Sequence, residues 1–186
     1  GPVWVGHLSE SLGLGAHTGS LTGGTAHGWA GARADIDVEA GPGLFLPSVQ
    51  NQVNGYLASN GGVADPNTLY TVWGGANDAL YAAATSDFAA VPLAAGAIAS
   101  IADPLMNAGA TSVLIMNLPN IGFTPRQNWD PVASSQGNFI SNQYNGALST
   151  AVGASANGRD IVIHDAYSWT GALVAEDHSD GFGRDG

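Results

Sequence analysis

Short continuous apolar runs alternate along this chain with longer segments in which apolar residues recur at helical spacing. The runs are rich in β-branched and aromatic residues, which is typical of buried strands. They lie at residues 69–73 (LYTVW), 111–117 (TSVLIMN) and 160–164 (DIVIH). Helices are predicted over residues 1–14, 49–57, 87–107, 139–152 and 169–176, and directly after the first strand. This β-α-β-α-β-α order predicts one α/β domain over residues 1–186, with a parallel sheet and helices on both faces.

The segments between these elements are rich in glycine, proline and small polar residues. Loops are predicted over residues 15–28, 34–47 and 123–135, and residues 29–33 (WAGAR) are predicted as a strand end or a turn. Residues 157–158 are predicted as a turn, and residues 177–186 as a polar tail.

The exit of the first apolar run, within YTVWGGANDAL at residues 70–80, has the pattern of an active-site edge. Ligands of α/β folds bind outside the carboxyl ends of the strands. Gly74 and Gly75 allow a close approach of the backbone to another group. Asn77 can aim its amide N–H at a developing oxyanion, and Asp78 can cap the next helix or brace the turn. The alternative is an ordinary turn in which both residues only cap.

Composition and charge argue against several kinds of binding partner, active site and membrane attachment. The formal net charge is −11 with four Lys plus Arg, which argues against nucleic acid and anionic membrane surfaces. The absence of cysteine excludes thiolate nucleophiles and cysteine zinc sites. No continuous apolar run reaches the roughly 18 residues of a membrane span. Residues 88–101 contain Pro92 and Gly96 and are predicted as a buried helix.

The histidines raise the question of a metal or a general base. His7, His17 and His27 recur at regular spacing, but a metal site needs converging ligands, so no metal and no cofactor are predicted. His164 and Asp165 end the third predicted strand. Either Asp165 caps the following segment, or His164 acts as a base for a serine within reach.

Several segments together resemble a known family. GPVWVGHLSESLGL, GGTAHGWAGARAD, DPNTLYTVWGGANDAL with its GxND turn, GATSVLIMNLPNIGFTP and DAYS occur in that order. The chain resembles the SGNH (GDSL-type) hydrolases of the secreted bacterial esterase and lipase branch over roughly residues 1–183. The resemblance implies a three-layer α/β/α flavodoxin-like domain, a Ser–His–Asp triad, a small-molecule ester substrate and a secreted or cell-surface location.

The resemblance also implies an oxyanion hole. Its donors in the family are the nucleophile's own backbone N–H, a backbone N–H of a glycine in the second block, and an asparagine side chain. The asparagine corresponds to Asn77, and the glycine pair of the second block falls on Ala30-Gly31. Alanine at position 30 replaces a glycine of the family pattern. The backbone N–H is retained if φ at that position suits alanine.

Two family blocks have no counterpart here. No GDS triplet and no Asp-x-x-His occurs in the 186 residues, so we expect the chain to start after the nucleophile block and to stop before the base block. Ser20, in TGSL at residues 18–21, is a candidate nucleophile, although no apolar strand precedes it. Without its first strand the sheet is expected to be incomplete, rearranged, or completed by a homodimer.

These observations leave more than one functional hypothesis. The leading one is a carboxylic ester hydrolase acting on small acyl esters, with Asn77, Ala30 and Gly31 at the oxyanion. The alternative is a catalytically degenerate binding module or an inactive fragment. Phosphate-ester hydrolysis is a weaker alternative, because it needs a metal or an arginine clamp and the chain has four basic residues.

Overall fold

The computed structural model describes residues 3–155 and 160–179. The predicted turn at residues 157–158 and most of the predicted tail lie outside these ranges. The strands are β1 (Val38–Gly41), β2 (Leu44–Leu46), β3 (Leu69–Val72), β4 (Ser112–Met116) and β5 (Asp160–His164). The α-helices are α1 (Trp4–Ser11), α2 (Val49–Ser59), α3 (Ala76–Thr85), α4 (Ala90–Ser100), α5 (Ala102–Asn107), α6 (Pro131–Ser155) and α7 (Ala166–Ser179).

The three predicted strands form one parallel sheet in the order β3-β4-β5. Helices α3, α4 and α5 connect β3 to β4, and α6 connects β4 to β5. This arrangement confirms the predicted α/β class and the parallel sheet. All three strands therefore end at the same edge of the sheet, where the GGAND turn follows β3.

One face of the sheet carries the hydrophobic core. In the parallel register Val72, Ile115 and Ile163 lie side by side, and their row packs against the helices. Helix α4 lies along α6 in this layer, and α2, α3 and α5 also contribute to it. Its largest fully buried side chains are Tyr144, Ile98, Ile101, Leu105, Ile140 and Leu148.

The opposite face of the sheet is much more open. The row on this side consists of Thr71, Leu114 and Val162, and Val162 is 52% exposed. Leu69, on the same face, is 47% exposed. At the carboxyl end of β3, Trp4 of α1 packs edge-to-face on Trp73, with ring centroids 5.9 Å apart. The described residues thus cover this face less completely than the other, whereas helices on both faces were predicted.

The outer edge of β3 is the position at which the resemblance places a further strand. Within residues 3–155 and 160–179, no strand pairs with that edge. The described residues therefore contain no rearranged strand there. A single chain gives no support to the strand-completing homodimer, which stays a prediction.

Several helix boundaries differ from the predicted ones for identifiable reasons. The helix predicted over residues 87–107 is divided at Ile101 into α4 and α5. Pro104 has no N–H to donate to the carbonyl four residues earlier, which explains the interruption. Helix α6 starts at Pro131 because Pro suits the first helical position, and the Asp130 carboxylate accepts the Val132 N–H at 2.8 Å.

Two further predictions need correction. Residues 34–47 were predicted as a loop but contain the short antiparallel hairpin of β1 and β2, which turns through Gly43 with φ of 74°. Leu93 lies in the segment 88–101, which was predicted as a buried helix, but it is 71% exposed. Val91 and Ile98 of the same segment are buried, as predicted.

The segment Ala90–Asn107 is long and apolar enough, by composition, for a membrane span. In this fold it is divided between α4 and α5, and 44% of it is buried inside the protein. Its apolar residues pack against α6 and the sheet, as those of a core helix do.

Candidate functional site

The turn after β3 presents two polar side chains to a neighbouring loop. Helix α3 begins at Ala76, and its N-cap residue is Gly75, so Asn77 and Asp78 lie in the first turn of the helix. Neither of them caps the helix, because no side-chain cap hydrogen bond is formed there. Both side chains reach across to residues 32–34 instead.

Close packing explains the two glycines of the turn. Gly75 has φ of 91°, and a Cβ there would collide with the ring of Tyr144. A Cβ at Gly74 would lie 2.5 Å from Ile98 Cδ1. The Tyr144 hydroxyl donates a hydrogen bond to the Gly74 carbonyl at 3.2 Å, so α6 supports the turn from the core side. Burial, and secondarily the nearby Asp78 carboxylate, raises the pKa of Tyr144, which keeps this hydroxyl a donor.

The side chain of Asn77 is held in place by a hydrogen bond that uses one of its two amide hydrogens. Its Nδ2 donates to the Ala32 carbonyl at 2.8 Å. A side-chain amide has two N–H donors, and in the part of the chain that the structure describes the second hydrogen of Asn77 meets no acceptor. The bond to Ala32 fixes the amide orientation before any ligand binds, which is the preorganisation that oxyanion stabilisation requires.

Asp78 ties the same loop to the turn through a buried ion pair. Its side chain is 1% exposed and accepts hydrogen bonds from Arg33 Nε and from the Ala34 backbone N–H, both at 2.9 Å. The Arg33 guanidinium also lies 4.5 Å from the ring centroid of Tyr81. Together with the Asn77 bond, these contacts attach residues 32–34 to the first turn of α3.

The Ala30-Gly31 pair precedes this attached segment. Gly31 has φ of 85°, a region that favours glycine. Among the described residues Ser86 is the non-glycine residue with positive φ, so the backbone at Ala30 is compatible with alanine. The condition for retaining a backbone donor at position 30 is therefore met.

His164 and Asp165 lie at the end of β5, two strands away from Asn77. The Asp165 carboxylate accepts the Ser168 N–H at 3.1 Å and the Asn117 amide at 2.9 Å, and so caps α7. The Ser168 side chain, the Asn117 amide and the Ser168 N–H together hold the pKa of Asp165 below its usual range. In residues 3–155 and 160–176, no hydrogen bond joins a serine hydroxyl to a histidine ring nitrogen.

Except for His7, the other sequence candidates lie in the loop of residues 15–28. Ser20 begins a short 3₁₀ turn, Ser20–Thr22, and lines a small cavity together with Ala30. The His17 ring and the Thr25 hydroxyl are hydrogen-bonded at 3.2 Å, and the His27 ring packs against Tyr56. His7 lies exposed on α1, and in the part of the chain that the structure describes no three His, Asp or Glu residues converge on a metal site.

Two residues of this site were not singled out from the sequence, namely Arg33 and Tyr144. Arg33 is one of four basic residues in an acidic chain and falls inside the GGTAHGWAGARAD segment, which is a usable signal. Tyr144 lies in an asparagine-rich helix and carries no comparable signal. Its contact with the turn joins residues 70 positions apart.

The described residues form a parallel α/β domain with a fixed amide beside a glycine-containing loop at the carboxyl end of a strand, which is the edge where ligands of such folds bind. The chain belongs to the GDSL-like lipase/acylhydrolase family, whose family model matches residues 1–183. The family resemblance of the sequence segments is thereby confirmed.

Two curated relatives share part of the chain. Lipase 1 of Photorhabdus luminescens is 33% identical over 121 residues, which are 64% of this chain and 18% of that protein. An uncharacterized protein of the trpE-trpG intergenic region of Pseudomonas putida is 38% identical over 100 residues, 53% of this chain and 16% of that protein. The matched region thus spans less than a fifth of either relative.

Proposed function

We propose that this chain supplies the oxyanion-stabilising part of a carboxylic ester hydrolase that acts on small acyl esters. The observation that carries the proposal is the Asn77 amide, which is fixed by the Ala32 carbonyl beside Gly31, at the carboxyl end of β3. Membership of a family of lipases and acylhydrolases supports the same reaction class.

The proposed chemistry follows from this geometry. When a nucleophile attacks the ester carbonyl, a bond to carbon forms and the carbonyl electron pair moves onto oxygen. The second N–H of Asn77 and the backbone N–H groups at Ala30 and Gly31 donate to that oxygen. Collapse of the intermediate then breaks the bond to the alcohol oxygen, which takes up a proton. Ser20, His164 and Asp165 stay candidates for the nucleophile and the proton-transfer groups.

A second function, ester binding without turnover, is favoured by one observation. Within the described side chains no serine hydroxyl is hydrogen-bonded to a histidine ring nitrogen, so no nucleophile–base pair is in place. Phosphate-ester hydrolysis is less well supported, since Arg33, whose side chain reaches the first turn of α3, is occupied by Asp78.

The decisive experiment compares hydrolysis of p-nitrophenyl acetate and butyrate by the chain and by its Asn77→Ala variant. We expect kcat/KM to fall about a hundredfold or more, which is the scale of losing one oxyanion donor. Asn54→Ala, an exposed asparagine on α2, is the matched control and should leave the rate unchanged. Equal or absent turnover in the parent and Asn77→Ala, with both folded by circular dichroism, would support the binding function instead.

The family branch that the segments resemble also leads us to propose export to the cell surface or medium. Fractionation of the source cells and their medium, followed by immunoblotting against this chain, tests that location. Recovery confined to the cytoplasmic fraction would contradict it.

A further inference from the structure

A small cavity lies between the Ser20–Thr22 turn and residues 26–30. It has a volume of about 240 Å³, is largely open to solvent, and is lined by Gly19, Ser20, Leu21, Ala26, Gly28, Trp29 and Ala30. Pockets that hold drug-sized ligands usually have about 300–1,000 Å³, so this cavity suits a smaller group.

Backbone hydrogen bonds hold the two walls of the cavity together. Ser20 N–H donates to the Ala26 carbonyl at 2.9 Å, and Ala26 N–H donates to the Thr18 carbonyl at 3.0 Å. Gly24 N–H donates to the Gly19 carbonyl at 3.0 Å, which closes the loop between the walls. Because these bonds involve the main chain, the cavity keeps its shape without a ligand.

The lining indicates the chemistry of the ligand. Among the described residues no charged side chain lines the cavity, and its polar side-chain groups are the Ser20 hydroxyl and the Trp29 indole N–H. The side chains of Leu21 and Trp29 stand exposed at its rim, where an apolar ligand could cover them. A charged ligand would lose hydration here without gaining a partner, so the cavity favours an uncharged hydrocarbon group.

The position of the cavity connects it to the oxyanion donors. Ala30 lines the cavity, Gly31 follows it, and the next residue, Ala32, accepts the Asn77 amide. An ester whose carbonyl oxygen is bound by Asn77 and the backbone at position 30 or 31 therefore has the cavity within reach of its carbon chain.

We propose that this cavity binds the short, uncharged hydrocarbon chain of the ester. The inference rests on the proposed function for the placement of the carbonyl. It goes beyond that function by assigning a substrate subsite to Leu21, Ala26, Trp29 and Ala30. This hydrocarbon chain is either the acyl chain of the ester or the alkyl chain of its alcohol. Each of the two cases predicts tighter binding of a different test ligand.

The test is an NMR titration of ¹⁵N-labelled protein with two amides. These amides stand in for the ester and cannot be hydrolysed as esters are. N-ethylbutyramide carries its longer chain on the acyl side, and N-butylacetamide carries it on the other side. We expect saturable shifts of the Ala26 and Ala30 amide signals and of the Trp29 indole signal, larger for one of the two amides. N-ethyloctanamide should bind no tighter than the better short amide, because the cavity is small.

Variants separate this cavity from general surface binding. Leu21→Asp places a charge at the rim, and we expect about tenfold weaker binding, equivalent to about 1.4 kcal/mol. Leu173→Asp, at an exposed leucine on α7, is the matched control and should bind the amides as the parent does. Because both substitutions replace exposed side chains, both proteins are expected to fold.

Either of two results would overturn the inference. One is the absence of saturable shifts at residues 26–30, and the other is equal binding by the parent and Leu21→Asp. If ester hydrolysis depends on Asn77 but these shifts are absent, the assignment of the cavity is wrong and the proposed function still holds. Binding in the cavity without Asn77-dependent hydrolysis would remove the proposed reaction and leave an apolar-ligand site.

Discussion

Asp78 is the residue on which the geometry of the proposed oxyanion site depends most. It is buried, and it binds both the side chain of Arg33 and the backbone of Ala34. Burial of a carboxylate is unfavourable by several kcal/mol unless a cation and hydrogen-bond donors compensate for the lost hydration. Removal of the carboxylate would leave the Ala34 N–H and the part-buried guanidinium without their acceptor.

We therefore expect Asp78→Ala to lower the free energy of unfolding by roughly 3–5 kcal/mol, the usual cost of breaking a buried pair from one side. Urea denaturation followed by tryptophan fluorescence measures the change. Glu10→Ala, at an exposed acid on α1, is the control and should change stability by no more than about 0.5 kcal/mol. A loss below about 1 kcal/mol for Asp78→Ala would show that the pair is not structurally important.

The sequence predicted the polar residues of the turn but not their partners. Asn77 and Asp78 could be identified because a strand, two glycines and a polar pair occur together within one short segment. Arg33 and Tyr144 meet that segment from 45 and 70 positions away. Such pairings depend on how the elements pack, which local pattern and spacing do not determine.

At the scale of elements, one glycine in the turn after β3 and one in helix α4 allow the same Gly→Ala substitution to be compared in two environments. Gly75 has φ of 91° and abuts Tyr144, whereas Gly96 lies inside α4 with open space where a Cβ would be. We expect Gly75→Ala to destabilise by roughly 2–4 kcal/mol through backbone strain and overpacking. Gly96→Ala should instead stabilise by about 0.5–1 kcal/mol, because alanine restricts the unfolded chain and favours helix.

Thermal and urea unfolding of the two variants test this contrast directly. Opposite signs are the expected result. If Gly75→Ala were as stable as the parent protein, the turn would not be held against Tyr144 in the way the structure describes.

The hairpin of β1 and β2 is joined to α2 through Asp37. Its carboxylate accepts the Ser48 backbone N–H at 2.7 Å and the Asn51 side-chain amide at 2.9 Å, and these bonds lower the pKa of Asp37 below its usual value of 3.8. A lowered folded-state pKa means that the stabilisation is fully present above the unfolded-state value. It is lost as pH falls through the folded-state value.

We expect the parent protein to lose stability relative to Asp37→Asn as pH is lowered from about 5 to below 3, since the variant lacks this titration. Urea unfolding of both proteins across that range measures the difference. The Asp37 carboxyl chemical shift, followed by NMR, should report its pKa independently. A stability difference that does not change with pH would contradict the assignment.

The ends of helices and strands were predictable from the sequence where residues next to the boundary determine it. The end of α2 at Asn60 and the glycines that follow it is such a case. The division at Ile101 was missed although Pro104 was visible, because the apolar spacing continues through the interruption. The hairpin was missed because its strands are only 4 and 3 residues long and their side chains are mostly exposed, so they show no alternation.

At the scale of the whole molecule, the two faces of the sheet differ in a way that the strand sequences alone did not reveal. All three strands are apolar, which predicted burial on both sides. The structure buries the Val72–Ile115–Ile163 row under α2 to α6 and leaves Val162 and Leu69 about half exposed on the other side. The two faces should therefore respond differently to a polar group.

The last prediction uses one substitution at two positions of neighbouring strands. Val113 is 1% exposed on the packed face, and Val162 lies on the open face. Val113→Thr places a hydroxyl where it has no partner, and we expect a loss of about 1–3 kcal/mol. Val162→Thr leaves the hydroxyl in water and should change stability by less than about 0.5 kcal/mol. Urea unfolding of both variants at several protein concentrations measures the difference. Equal losses at the two positions would contradict the different burial of the two faces, and a monomer will show the contrast at every concentration.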